Sequence, residues 1–251
     1  MINQLDLRRL SYGMRLVSAY LLIAFSTQGA YGADLPQRRP ADTLEQRVIA
    51  CVACHGKENR AVRDAYYPRI AGKPAGYLYN QLLNFRDGRR RSPAMTYFAD
   101  NLPDDYLREI ATYFAAQHLP YPPPPAGNAP KPVIERGREL VTAGDAANGI
   151  PACAACHGDS LTGVNPSIPG LIGLPRDYVN AQFGAWRIGA RRAAAPDCMA
   201  EIARRLSAAD VTAVSAYLAT APVPDNALPA GKAARTLPLE CGSVAQTRAQ
   251  P

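Results

Sequence analysis

An all-α protein made of two tandem helical domains joined by a proline-rich linker is what this sequence specifies, on three grounds. A stretch of about a hundred residues occurs twice, each copy places apolar residues at helical spacing without a convincing strand, and a proline run separates the copies. Cys51-Val52-Ala53-Cys54-His55-Gly56 recurs as Cys153-Ala154-Ala155-Cys156-His157-Gly158, 102 residues on. Pro68-Arg69-Ile70-Ala71-Gly72-Lys73-Pro74 recurs as Pro169-Gly170-Leu171-Ile172-Gly173-Leu174-Pro175, shifted by 101. Tyr77, Gln81, Arg86 and Gly88 return as Tyr178, Gln182, Arg187 and Gly189, and Phe85 becomes Trp186. Met95, Leu102, Tyr113 and Ala115 return as Met199, Leu206, Tyr217 and Ala219, shifted by 104. The order is kept while the shift barely drifts, which marks a duplication.

The segments follow in order. Arg8, Arg9 and Arg15 form a basic leader, Leu16 to Phe25 is apolar, and Ala30-Tyr31-Gly32 offers small residues for cleavage. Residues 1–32 therefore read as a signal peptide, which sends the chain to the periplasm. The alternative is an uncleaved anchor, for which the stretch is short, since a spanning helix takes roughly 20 apolar residues. Residues 33–119 form the first domain. Leu44, Val48, Ile49 and Val52 mark a helix running into the first cysteine. Tyr77, Leu78, Gln81, Leu82 and Phe85 mark a second, starting near Pro74. Pro103-Asp104-Asp105 opens a third, with acids at the positive end of its dipole and Leu107, Ile110, Ala111 and Phe114 as its stripe. Residues 120–131 hold Pro122 to Pro125 and read as a semi-rigid spacer. In the second domain, 132–222, the matching third helix begins at Ser207, which with Asp210 resembles a capping box. The tail, 223–251, has no sustained period and reads as irregular.

Composition narrows the function. At 47% hydrophobic the chain is not disordered. Its charge of +7 is scattered apart from Arg89-Arg90-Arg91, so nucleic acid is not the expected partner. Each half, about 80–90 residues, is small for a self-sufficient core, and a bulky cofactor would supply the missing volume.

That cofactor is read from the cysteines. Cys-x-x-Cys-His is the attachment signature of c-type haem. Two thiols one helical turn apart add to the porphyrin vinyl groups, and the following histidine reaches the iron. The candidate attachment residues are Cys51, Cys54, Cys153 and Cys156, with His55 and His157 as iron ligands. A four-cysteine zinc site would join pairs a hundred residues apart and leave both histidines unexplained. A thioredoxin-type pair would need a βαβ pattern that is missing. For the sixth ligand, His118 has no counterpart in the second half and reads as a surface residue. Outside the leader only Met95 and Met199 remain, one per half at equivalent positions. They are the candidate axial thioethers, which favour ferrous iron. Two closed axial positions leave outer-sphere transfer of one electron per haem.

The sequence resembles the dihaem cytochrome c4 family over about residues 42–222. The marks are both CxxCH motifs, the P-x-I/L-x-G segments, the Tyr-x3-Gln helices and the late methionines. The resemblance implies that the Pro68 carbonyl holds His55 and the Pro169 carbonyl holds His157. It also implies a carrier between a quinol-oxidising complex or a dehydrogenase and a terminal oxidase, rather than an enzyme. Peripheral attachment to a membrane and a role as a dedicated dehydrogenase subunit stay open, and a dihaem peroxidase conflicts with two methionine ligands.

Two features depart from the repeat. Cys198 and Cys241 are left over and suit a disulfide in an oxidising compartment. Free or intermolecular thiols, or Cys198 as a thiolate ligand in place of Met199, are the alternatives. Arg89-Arg90-Arg91, echoed by Arg191-Arg192, is either a solvated turn or a site for haem propionates or an acidic partner.

Overall fold

The computed structural model describes residues 41–56, 67–121 and 123–244; the expected signal peptide lies outside them. Among the described residues the first half holds five helices: α1 (Leu44–Arg47), α2 (Ile49–His55), α3 (Ala75–Arg86), α4 (Pro93–Ala99) and α5 (Asp104–Ala115). The second half holds α6 (Lys131–Thr142), α7 (Cys153–His157), α8 (Arg176–Arg187), α9 (Cys198–Arg205) and α10 (Ala208–Thr220). Between α7 and α8 a two-residue strand β1 (Gly163–Val164) pairs antiparallel with β2 (Ile168–Pro169). Among the described residues this is the only sheet, and no helix is long and apolar enough to cross a membrane.

Local sequence accounts for most boundaries. α5 starts behind Pro103 with Asp104 and Asp105 in its first turn, and buries Leu107, Ile110, Ala111 and Phe114 against α3. α10 carries the full capping box: the Asp210 N–H bonds the Ser207 hydroxyl while the Asp210 carboxylate accepts from the Ser207 N–H. The helix expected from Leu44 to Val52 is split, because Val48, 1% exposed, turns the chain between α1 and α2 to reach the core.

Helix α6 is not among the helices expected from the sequence. Pro132 sits in its first turn, where a missing N–H costs nothing. Gly137 lies at its centre because α6 presses against α10 there: a Cβ would come within 2.1 Å of the Ala213 carbonyl oxygen. The linker is also docked. Tyr121 packs onto the second half's core and lies against Gly173, where a Cβ would come within 2.5 Å of the ring.

Gly137→Ala is expected to force α6 and α10 apart and to destabilise the second half by about 1–3 kcal/mol, the usual cost of overpacking. Gly184→Ala, in α8 where nothing lies within 4 Å of the added carbon, should be neutral or slightly stabilising. Thermal or urea unfolding of the two variants checks the contrast.

Candidate haem sites and the contact between them

α2 and α7 each end on the cysteine–histidine turn. Cys51 and Cys54 lie on α2, Cys153 and Cys156 on α7, and none of the four is in a disulfide. Gly56 and Gly158 end the helices with φ of 95° and 85°, in the left-handed region, and turn the chain away beyond each histidine. Burial raises the Cys51 and Cys156 thiols and pushes Cys153 up to about 12. Among the described residues no group of three His, Cys, Asp or Glu could hold an ion.

Both histidines are buried, at 8% and 7% exposure, and burial lowers their pKa so that the rings are neutral. Nδ1 of His55 lies 2.8 Å from the Pro68 carbonyl oxygen, and Nδ1 of His157 lies 2.7 Å from that of Pro169. A carbonyl can only accept, so Nδ1 carries the proton and donates, and Nε2 keeps a lone pair for a metal. The proline contacts implied by the family resemblance are therefore present in both halves.

The methionines occupy short helices of their own. Met95 lies in the first turn of α4, whose cap is Ser92, and Met199 in the first turn of α9, capped by Asp197. Both are half-buried, and Met199 packs against the second half's core. The repeated arginines Arg86 and Arg187, given no role from sequence, tie these segments down. Arg86 at the end of α3 donates to the Leu102 carbonyl beyond α4 at 3.1 Å. Arg187 at the end of α8 donates to the Ala203 carbonyl at 2.8 Å and to that of Leu206. Their recurrence in the repeat was the available signal. His118 is exposed, as expected.

Cys198 and Cys241 form a disulfide with Cα atoms 5.1 Å apart, so Cys198 has no thiolate to offer iron. The described part of the tail, through Val244, has no regular element but is fastened at several points. Ala230 exchanges backbone hydrogen bonds with Gly163 and Asn165, Gly242 donates to the Pro196 carbonyl, and Ser243 accepts from Asn80 of α3.

The arginine cluster departs furthest from a solvated turn. Arg90 and Arg191 face each other across the two halves in a reciprocal set of bonds. Arg91 N–H donates to Ala190, and Arg192 N–H donates to Arg89. The Arg90 guanidinium donates to Gln81, Gln182 and Tyr178; that of Arg191 donates to Gln182, Gln81 and Tyr77. Each stacks on its own half's aromatic, Arg90 on Phe85 at 4.6 Å and Arg191 on Trp186 at 3.9 Å. Burial and the Arg90 charge push Arg191 down. Among the described residues neither has a carboxylate partner, and the buried Trp186 Nε1 has no acceptor. Arg90 lies close enough to His55 to act on its charge. These are donors and cations suited to the carboxylate tails of a haem.

Lys73 completes the contact. It is buried, donates from Nζ to the Gly170 carbonyl of the other half at 2.9 Å, and has its pKa lowered to about 8 by burial and then by Arg69.

Two helical halves, each with a covalent haem motif and a carbonyl-held histidine, define a c-type cytochrome with two haem sites. A cytochrome c family model matches residues 134–222. A thiosulfate dehydrogenase electron acceptor of Stutzerimonas stutzeri is 35% identical over 201 residues, 80% of this chain and 91% of that one. Cytochrome c4 of Pseudomonas aeruginosa is 33% identical over 176 residues, 69% of this chain and 85% of its own. The crystal structure of reduced cytochrome c4 from Pseudomonas stutzeri superposes with a TM-score of 0.60 at 29% identity, covering 70% of this chain and 95% of that one. The chain belongs to the dihaem cytochrome c4 family and binds two covalently attached haem c groups.

Two outcomes follow from this geometry. Lys73 has an ordinary pKa of 10.5, so between pH about 8 and 10.5 the unfolded chain binds more protons than the folded one. Lys73 therefore makes stability rise with pH through that window, and Lys73→Met should lose the rise in paired melting curves. Removing the disulfide by Cys198→Ser with Cys241→Ser opens a loop spanning 43 residues, and chain entropy sets the loss at about 4 kcal/mol. Denaturant unfolding measures it.

Proposed function

We propose that this protein is a one-electron, outer-sphere carrier of the periplasm and not itself an enzyme. In this reading Cys51 and Cys54 anchor one haem, ligated by His55 and Met95. Cys153 and Cys156 anchor the other, ligated by His157 and Met199. Each haem supplies one reversible electron at its iron. The protein's own work is to hold Nδ1–H on a proline carbonyl so that Nε2 is presented, to bury the ring away from water, and to present a methionine from a capped helix. The observation that carries the reading is the doubled contact, 2.8 Å at Pro68 and 2.7 Å at Pro169, beside a cysteine pair in each half. The resemblance between halves supports the same ligand set in both, which leaves no vacant position for peroxide.

For the donor, a dehydrogenase is favoured over a quinol-oxidising complex, because relatives that match most of the chain are named as electron acceptors of thiosulfate dehydrogenase. The acceptor in this reading is a terminal oxidase. A dedicated subunit of the dehydrogenase is the second reading, favoured by the same names.

Met95→Ala and Met199→Ala should each remove about half of the weak far-red band that marks methionine ligation of ferric haem. Retention of the full band in either variant sinks the ligand assignment. Rapid-mixing reduction by a thiosulfate dehydrogenase supplied with thiosulfate, compared with reduction by a quinol-oxidising complex, tests the donor. Faster reduction by the quinol-oxidising complex would reverse the preference.

A further inference from the structure

We propose that Lys73, on the first half, sets the reduction potential of the second half's haem by placing a fixed positive charge behind its histidine ligand, His157. The proposal rests on His157 as an iron ligand and adds a residue that acts through it.

The geometry is a short chain of contacts across the halves. His157 donates from Nδ1 to the Pro169 carbonyl at 2.7 Å, and the carbonyl of the next residue, Gly170, accepts from the Lys73 ammonium at 2.9 Å. The ammonium is thus one peptide removed from the carbonyl that holds the imidazole. This backbone has little slack, because a Cβ on Gly170 would come within 2.5 Å of the Thr162 carbonyl oxygen.

The cation is not there for packing. Its repeat equivalent is Leu174, also buried, so the fold accepts an apolar side chain at this position. Lys73 is 5% exposed, and among the described residues the one hydrogen bond of its ammonium is to Gly170 and no carboxylate pairs with it. An ammonium in that setting is costly to bury without a paired charge. The neighbouring cation, Arg69, is directed elsewhere: it donates to the Leu119 and Pro120 carbonyls and stacks on Tyr121 at 4.1 Å. His55 feels Arg90, but Arg90 has an equivalent in Arg191 and so belongs to both halves. Lys73 is the unmatched charge.

Ferric haem carries one more positive charge than ferrous haem. A fixed cation nearby disfavours the ferric state, and in a poorly screened interior the effect persists at physiological salt. The second haem is therefore raised in potential relative to the same site with an apolar residue.

The test is spectroelectrochemical titration of the holo-protein at neutral pH for wild type, Lys73→Met, Lys73→Arg and Met199→His. The Met199→His variant identifies the second half's wave by displacing it to low potential. Lys73→Met is expected to move that wave downward and leave the other in place, while Lys73→Arg keeps both near wild type. If Lys73→Met moves neither wave, moves both equally, or is matched by Lys73→Arg, the role of Lys73 is overturned while the ligand assignment stands. If Met199→His displaces no wave, the ligand assignment itself fails and the proposal with it. Should Lys73→Met assemble poorly, Lys73→Leu repeats the measurement with the side chain already tolerated at the equivalent position.

Discussion

A histidine can offer a lone pair to iron only if its other nitrogen keeps the proton, and in both halves a proline carbonyl holds it there. That hydrogen bond is local in length but not in sequence. It requires the loop after each Cys-x-x-Cys-His turn to come back and place Pro68 or Pro169 beside the ring. The following helices, α3 and α8, then start from fixed points, since Pro74 and Pro175 lie only six residues beyond. The arginines at their far ends fasten the closing segments that carry the methionines. Proximal and distal sides of each site are thus connected through one helix.

Much of this was legible because the duplication supplied an internal comparison. One Cys-x-x-Cys-His or one late methionine is ambiguous; two at matching positions are not. The helices with strong stripes and caps, α5 and α10, were equally readable. What escaped has physical reasons. Helix α6 contains Pro132 and Gly137, which weaken a helical reading, yet the proline sits where its N–H is not needed and the glycine where a second helix leaves no room. The two strands are too short to show an alternating period. Val48 breaks a helix for the sake of burial, a tertiary demand that leaves no local mark.

The arginine cluster shows a different limit. A run of like charge usually lies in solvent, and nothing within the run says otherwise. Its meaning lay in residues far along the chain, since Tyr77, Gln81 and Arg90 recur in register as Tyr178, Gln182 and Arg191 and each set completes the other. Shared amide and phenol oxygens take the place of water around two guanidinium groups, of which Arg191 is buried and Arg90 partly so. The halves are accordingly held by groups whose bonds are incomplete in either half alone.

Such reciprocity is the pattern of a dimer of identical chains about a twofold axis, where a residue contacts its own counterpart. Two identical subunits must carry the same residue on both sides of that axis, so neither of their metal centres can be distinguished from the other. Joining the copies through Tyr121 and the prolines lifts the restriction, and a lysine can stand in one copy where the other carries a leucine. Gene fusion, on this view, gave the molecule a direction.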